Sequence, residues 1–408
     1  MEVLYPRCAG LDVHRDTVVA CARIMTEGRI EQHVETFGTT TSELLRLLEW
    51  LSRHRLTHAA MEATGVYWKP VWHVLEGHFE LVLANAMHIK KVPGRKTDVN
   101  DAMWIADLLA HGLIRGSFVP PTPIQELRGL TRTRKQLVRE KASHVQRIDK
   151  VLQDANFKLG SVLSDIMGAS GRAILEAIVR GESDPERLVE LVDRRVRAGR
   201  DLIVEALRGR PGGHHRFLLK LHLTQVDALD TAIAEVDLEV GESLRPFRVA
   251  AAQLTSIPGV SDIAAAAIVS EIGVDMSRFP TPGHLISWAG LCPRSDESAG
   301  KRRSTRLRKG APWLKTMLVQ AAWSTARAQG TYLRAQFLRL KSRRGPKKAI
   351  VAVAASMLTA AYFILKRGVR YADLGPDYFD RTDRVRTANR LVRKLSELGF
   401  EVKIHQAA

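Results

Sequence analysis

Cysteine is scarce: three residues in 408, at Cys8, Cys21 and Cys292, with no C-x-x-C pair. That count excludes a disulfide framework and a cysteine-rich zinc site, and it fits a reducing cytoplasm. A membrane-length apolar run is also missing. Ala349 to Leu365 is uncharged and flanked by Lys348 and Lys366. It is rich in alanine and falls short of the ~20 strongly apolar residues of a bilayer span, so a buried helix is expected and no membrane partner. The opening segment MEVLYPRCAGLDVHRD has no apolar signal core, so export is not expected. Acidic residues are in deficit, 44 against 62 Lys and Arg, which leaves a formal charge of +18. Such a balance calls for a polyanionic partner, nucleic acid before a membrane surface.

What the chain does contain is ample apolar material, 45% of residues, so it can bury real cores. Its length implies two or three domains. The first reads as α/β. Residues 7–24 form a buried strand, a turn at His14-Arg15-Asp16 and a returning strand, and Arg29 to Phe37 alternates as a third. A helix follows from Thr41, with Leu44, Leu47 and Leu51 on its buried side. A short strand, His58 to Glu62, ends in a glycine turn at Gly65. Then come a helix over Tyr67–Leu75, a strand over Phe79–Ala84, and a basic loop with Lys90, Lys91, Arg95 and Lys96. A helix opens at Thr97 or Asp98, with Ala102, Ile105, Leu108 and Leu109 facing a core. Strands first and strand–helix alternation afterwards imply a mixed sheet.

Four acids stand out in this region. Asp12 interrupts the apolar strand Gly10-Leu11-Asp12-Val13, and Glu62 closes the later strand. Asp98 and Asp101, three apart, leave a first helical turn on one face. Any one of them alone is a turn or helix cap. Together, two strand-end acids and a same-face helical pair are costly unless a cation offsets them. A hard ion such as Mg²⁺ (or Mn²⁺), which takes a few carboxylates and substrate phosphates, suits the set.

The proline run in residues 118–123, FVPPTP, marks a boundary. Beyond it, amphipathic helices over Glu126–Leu159 and Phe217–Val240 are expected to pair as a coiled-coil-like arm, their heptads being imperfect. His214, His215 and His222 lack a fourth ligand at zinc spacing and read as solvent-exposed. Residues 254–273 form a helix–hairpin–helix-like element, in which Gly259 and the following helix start offer N–H groups to a phosphate. A capped alanine-rich core helix explains the same residues equally well. Between Lys301 and Lys309, six of nine residues are basic: Lys301, Arg302, Arg303, Arg306, Arg308 and Lys309. Phosphate-backbone binding is the inference they carry. A second basic run spans Arg339–Lys348, and a last helix falls near Arg384–Leu398.

Gly10-Leu11-Asp12-Val13, Met61-Glu62-Ala63-Thr64-Gly65 and Lys96-Thr97-Asp98-Val99-Asn100-Asp101-Ala102 resemble the acidic motifs of the DEDD transposases of bacterial insertion sequences. Ile257-Pro258-Gly259-Val260, Ala289-Gly290-Leu291-Cys292-Pro293, Ser298-Ala299-Gly300-Lys301 and Lys309-Gly310 follow in the order of that family's C-terminal signature. The resemblance implies a ribonuclease H-like (RuvC-like) domain over 1–118, a helical arm over 123–248, a mostly α transposase domain over 250–370, and a tail over 371–408. It also implies that Asp12, Glu62, Asp98 and Asp101 bind Mg²⁺ and that Ser298 attacks the DNA phosphate. The family commonly has serine directly before glycine, whereas Ala299 intervenes here, which leaves Ser295 as the second candidate. The partners it implies are donor and target DNA, an element-encoded guide RNA, and further copies of the chain in a dimer or tetramer whose protomers share a composite active site. A bacterial cytoplasm, at the nucleoid, is the expected location. Two rivals differ in chemistry: a resolvase-like nuclease whose metal ions activate water, and a non-catalytic nucleic-acid-binding protein.

Overall fold

The computed structural model describes residues 2–63, 65–84, 101–293, 296–298, 300–304, 306–307, 310–382 and 384–402. The chain divides into two compact units, Met1–Val119 and Pro120–Ala408.

The first unit is built on strands β1 (Arg7–Val13), β2 (Thr17–Thr26), β3 (Arg29–Gly38), β4 (His58–Glu62) and β5 (Glu80–Ala84), with helices α1 (Thr41–Arg53), α2 (Trp68–Leu75) and α3 (Asp101–Ala110). The sheet order is β3-β2-β1-β4-β5. β1, β2 and β3 run antiparallel, whereas β1, β4 and β5 are parallel, a mixed ribonuclease H-like sheet. The β2–β3 turn places Glu27 and Gly28 both at positive φ, 50° and 82°, as a two-residue hairpin matched to strand twist requires. β1 is central and covered on both faces, which is why it reads as nearly continuous apolar sequence. Ala9, Leu11 and Val13 pack with Ala59 and Met61 toward Leu44, Leu47 and Leu51 of α1 and Val71 and Leu75 of α2. On the opposite face, Cys8 and Ala60 meet Ile105, Leu108 and Leu109 of α3, and Cys21 meets Ala102 and Ala106.

α3 lies very close to the sheet. A Cβ added to Gly10 would fall 2.1 Å from Ala102 O and 2.4 Å from Ala106 N. Only glycine lets the helix backbone settle there. Arg23 of β2, 1% exposed, reinforces the contact by donating from Nε to Asp107 Oδ1 of α3 at 2.7 Å. Burial pushes the thiol pKa of Cys8 up to about 12 and that of Cys21 up to about 11, so both stay protonated and act as small apolar side chains.

The second unit is helical apart from one hairpin. Its first helix, α4 (Thr122–Asp154), starts earlier than its periodicity predicts and ends sooner. Pro123 is accommodated in the first turn, where a missing N–H costs nothing. Asn156, at φ 61°, lies just beyond the end. α5 (Gly213–Ser243) is longer than expected and packs antiparallel to α4. Arg134 pairs with Asp237, Lys141 with Asp230, and His144 with His222. Helices between Leu159 and Ala206 complete the far end of this pair around Ile148, Leu152, Phe157, Ile174, Leu219 and Leu223.

The remaining elements are α6 (Arg248–Leu254), α7 (Asp262–Ile272), α8 (Pro282–Ala289), β6 (Asp296–Ser298), β7 (Lys301–Ser304), α9 (Pro312–Thr325), α10 (Tyr332–Arg344), α11 (Pro346–Arg367) and α12 (Arg384–Glu397). Contrary to the expectation that this segment falls short of a span, α11 at 22 residues is long and apolar enough to cross a membrane by length and composition. In this unit it is a core helix, burying Ile350, Val353, Met357, Leu358 and Tyr362. The Tyr362 hydroxyl donates to Phe279 O at 3.0 Å. The base of α4 is fastened to the end of α7. Arg128 donates to the carbonyls of Ser270 and Glu271, capping that helix C-terminus. Arg132 makes a two-point contact with the buried Glu271 carboxylate at 2.7 and 2.9 Å.

The Gly10 contact yields a direct test. Gly10→Ala should cost about 2–3 kcal/mol, because the clash is with helix backbone that cannot rotate away. Amide exchange in α3 should accelerate, whereas unchanged protection would mean that the helix does not rest on β1.

Candidate active site

Strand register and helix position together bring acidic residues to one end of the sheet. β1 and β4 run parallel with Leu11 opposite Met61, so one further step sets Asp12 beside Glu62. Alternation places both on the face that carries Cys8, Gly10 and Ala60, the face covered by α3. Because Gly10 admits α3 at Ala102, the preceding residue, Asp101, begins that helix over the same strand ends. Asp12 and Glu62 therefore share one sheet face at the C-terminal ends of two parallel strands, and Asp101 opens the helix that covers that face; among the described residues these acids do not form a group of three donors within 4.8 Å of one another. Asp98, like Thr97 and the basic loop before it, lies outside the described residues, and the described part of the helix begins at Asp101.

The Asp12 side chain is 20% exposed, so it is reachable from solvent while its strand is buried. His14 Nε2 lies 3.2 Å from Asp12 Oδ2, a partner that the acidic pattern alone does not reveal. Its signal is the i, i+2 spacing at a strand end, which returns a side chain to the same face. Asp107, on the same helix as Asp101, is instead committed to Arg23. The acids offer carboxylate oxygens, with the His14 imidazole beside Asp12. The positive end of a helix dipole offsets only part of such charge. Hard divalent cations of the Mg²⁺ and Mn²⁺ type fit these carboxylate donors.

The second cluster of expected residues lies in the second unit. Ser298 ends β6 and pairs with Lys301 of β7, across a turn where Gly300 takes φ 72°. A Pro293–Leu307 bridge closes the base of this hairpin. The two ends of the segment meet at Gly290 and Gly310, where a Cβ on Gly310 would fall 2.3 Å from Gly290 N. Both glycines have positive φ, 71° and 51°, so the pair fixes where the hairpin emerges. Lys301 and Arg306 are exposed. Arg302 and Arg303 fall within β7. Ser295, Arg308 and Lys309 lie outside the described residues.

Gly259, at φ 85°, sits in the tight turn between α6 and α7. An added Cβ there would meet Thr325 Oγ1 and the backbone of α9, so the glycine serves close packing inside the unit. The adjoining Thr325 hydroxyl donates to Pro258 O.

The histidine expectation requires correction, since His215 is buried at 8% exposure rather than solvated. Asp154, His214 and His215 offer donors within 4.8 Å of one another. The hydrogen bonds argue against a metal there. Gly212 N–H donates to His215 Nδ1 at 3.0 Å, so Nε2 must carry the ring proton that it shares with Asp154 Oδ2 at 3.0 Å. His215 has no lone pair left to ligate with, and the group instead caps α5.

Two family models match the chain. One, a transposase model of the IS110 DEDD type, covers residues 9–157, and one described as "Transposase IS116/IS110/IS902 family" covers residues 251–338. The chain is 27% identical over 258 residues to the putative transposase y4rJ of Sinorhizobium fredii, across 61% of this chain and 60% of that protein. It is 24% identical over 294 residues to the transposase for insertion sequence element IS1111A of Coxiella burnetii, across 71% of this chain and 72% of that protein.

The acidic site has a thermodynamic readout. A cation held by these carboxylates in the folded state alone should raise unfolding stability by about 2.7 kcal/mol at a concentration 100-fold above its Kd. Asp12→Asn should abolish the Mg²⁺- or Mn²⁺-dependent rise in melting temperature. An equal rise in the variant would remove Asp12 from the ligand set.

Proposed function

Because this chain belongs to the IS110 family of transposases, we propose that it cuts and rejoins DNA to move a bacterial insertion sequence. What supports the proposal is the register that sets Asp12 beside Glu62 at the ends of two parallel strands, with Asp101 opening the helix packed on that sheet face. Asp98, three residues ahead of Asp101, is the fourth acid of this reading. Bound to these acids, Mg²⁺ or Mn²⁺ would supply charge neutralisation at the reacting phosphate. His14 holds Asp12 through its 3.2 Å contact and limits the rotation of that carboxylate.

Ser298 is the nucleophile of this reading. Its Oγ attacks a backbone phosphorus and loses its proton. The bond from phosphorus to the 3′-oxygen breaks, and that oxygen leaves as a 3′-hydroxyl. The resulting phosphoserine ester conserves the bond energy, so a 3′-hydroxyl of another strand can reverse the step and join the DNA. Lys301, Arg302 and Arg303 on the adjoining strand, with Arg306, Arg308 and Lys309 beyond it, would hold phosphates beside the serine. Gly259 is the remaining candidate for a backbone phosphate contact. The net charge of +18 supports binding to donor and target DNA and to a structured guide RNA. The exposed apolar side chains Phe217, Leu221 and Leu238 of α5 support assembly of copies through the helical arm. A RuvC-like reading of the first unit and a cytoplasmic, nucleoid-associated location complete the proposal.

The test is a covalent protein–DNA band on a denaturing gel. Purified protein is incubated with element-end DNA, the flanking transcript and Mg²⁺. The band should be present for wild type and for Ser295→Ala, and lost in Ser298→Ala. Cleaved DNA without a band, equal in wild type and Ser298→Ala, would assign the chemistry to activated water.

A further inference from the structure

One cationic site in the second unit has no part in the chemistry proposed for the acids and Ser298. Arg128, Arg132, Lys135 and Arg139 recur at helical spacing and form a single basic stripe along α4. Glu271 satisfies only the first part of that stripe. It takes Arg132 through two bonds and lies 3.9 Å from Arg128 Nε. Past the residues that it hydrogen-bonds, Lys135 Nζ and Arg139 Cζ stand over the Trp313 ring at 5.6 and 5.3 Å, beside Arg132 Cζ at 5.6 Å. Three cations crowd one indole ring, which leaves an excess of positive charge that a ring quadrupole offsets only in part. Among the described residues Arg139 has no carboxylate partner, and the buried Lys135 Nζ has no hydrogen-bond acceptor at all. Burial, followed by repulsion from Arg139, lowers the Lys135 pKa, and the Glu271 carboxylate offsets this only in part.

Both side chains line a cleft of about 440 Å³, walled by α4, α5, the Gly259 turn, α7 and α9. Arg134, also on the wall, is spent on Asp237. The cleft is also lined by Ile263 and Ala267, and Gln320 and Ser324 add polar groups. An anion with several acceptor oxygens would satisfy the three donors of Lys135 and the fork of Arg139. The cleft is far larger than a phosphate ion, and its apolar wall suits a sugar or base.

We propose that this cleft seats one nucleotide of a nucleic-acid strand, with the phosphodiester on Lys135 and Arg139. The proposal goes beyond the transposase reading, because it uses neither the acidic site nor Ser298. It also explains why a buried amine is kept without a partner: the residue serves binding at a cost in stability.

The experiment uses the full chain in EDTA, so that catalysis plays no part. Binding of a fluorescein-labelled single-stranded DNA oligonucleotide is followed by anisotropy across a salt series, with AMP as competitor and thermal melting alongside. Lys135→Met, which keeps the apolar stem, should weaken DNA binding at least about fivefold and lower the salt slope by about 0.7 per lost phosphate contact. Its melting temperature should hold or rise. Arg139→Gln should act in the same direction. Unchanged affinity and slope with a lower melting temperature would make Lys135 a packing staple and overturn the proposal. AMP binding that is lost in Lys135→Met while DNA affinity is unchanged would assign the cleft to a free nucleotide and overturn the strand assignment. Absence of DNA binding by wild type would instead count against the transposase reading itself.

Discussion

The arrangement of the first unit depends on one close contact, the seating of α3 on Gly10 of β1. A helix normally stands off a sheet by the thickness of the side chains between them. Here the missing Cβ of Gly10 and the small side chains Ala102 and Ala106 let backbone approach backbone. The consequence is chemical as well as structural. Asp101 begins the helix over the strand that carries Asp12, and parallel pairing with β4 sets Glu62 alongside. Without the glycine the three carboxylates would still exist, but the helix would be held away from the strand ends. The Arg23–Asp107 pair ties β2 to the same helix and so resists its lifting.

The second unit shows the same use of backbone proximity for a different purpose. Gly290 and Gly310 press together at the two ends of the segment that bears Ser298 and the basic cluster, so the hairpin leaves the helical core from a single pinned point. Gly259 does the equivalent between the α6–α7 turn and α9. In each case the motif glycine answers a packing demand inside the unit, and the polar residues of the motif are carried outward from that anchor. Charge is organised differently. One stripe on α4 is divided by Glu271 into a part that fastens the helix to α7 and a part, over Trp313, that it does not hydrogen-bond.

Much of this architecture is legible in the amino-acid sequence. The strands of the first unit follow period-two or fully apolar patterns, and the strand-end acids Asp12 and Glu62 are conspicuous because a carboxylate in an apolar strand is costly. The helical pair of the second unit and the buried Ala349–Leu365 helix follow from periodicity and composition. Helix ends are harder to read, because Pro123 is compatible with a helix start as well as with a linker. His215 escapes a local reading altogether. Nothing beside it distinguishes a histidine in contact with water from one that caps a helix against Asp154, 61 positions away in the chain.

The chain's own order of residues supplies the chemistry on offer: acids at strand and helix ends, a basic excess, and a serine beside lysine and arginine. It also supplies the periodicities that turn these into strands and helices, because those depend on neighbours a few positions away. Which side chains meet is a matter of tertiary packing. The parallel register of β1 with β4, the seating of α3 on Gly10, the tautomer of His215 and the unpartnered amine of Lys135 are all set by contacts between distant segments. Such contacts arise from the close packing of whole elements, and no local pattern encodes them.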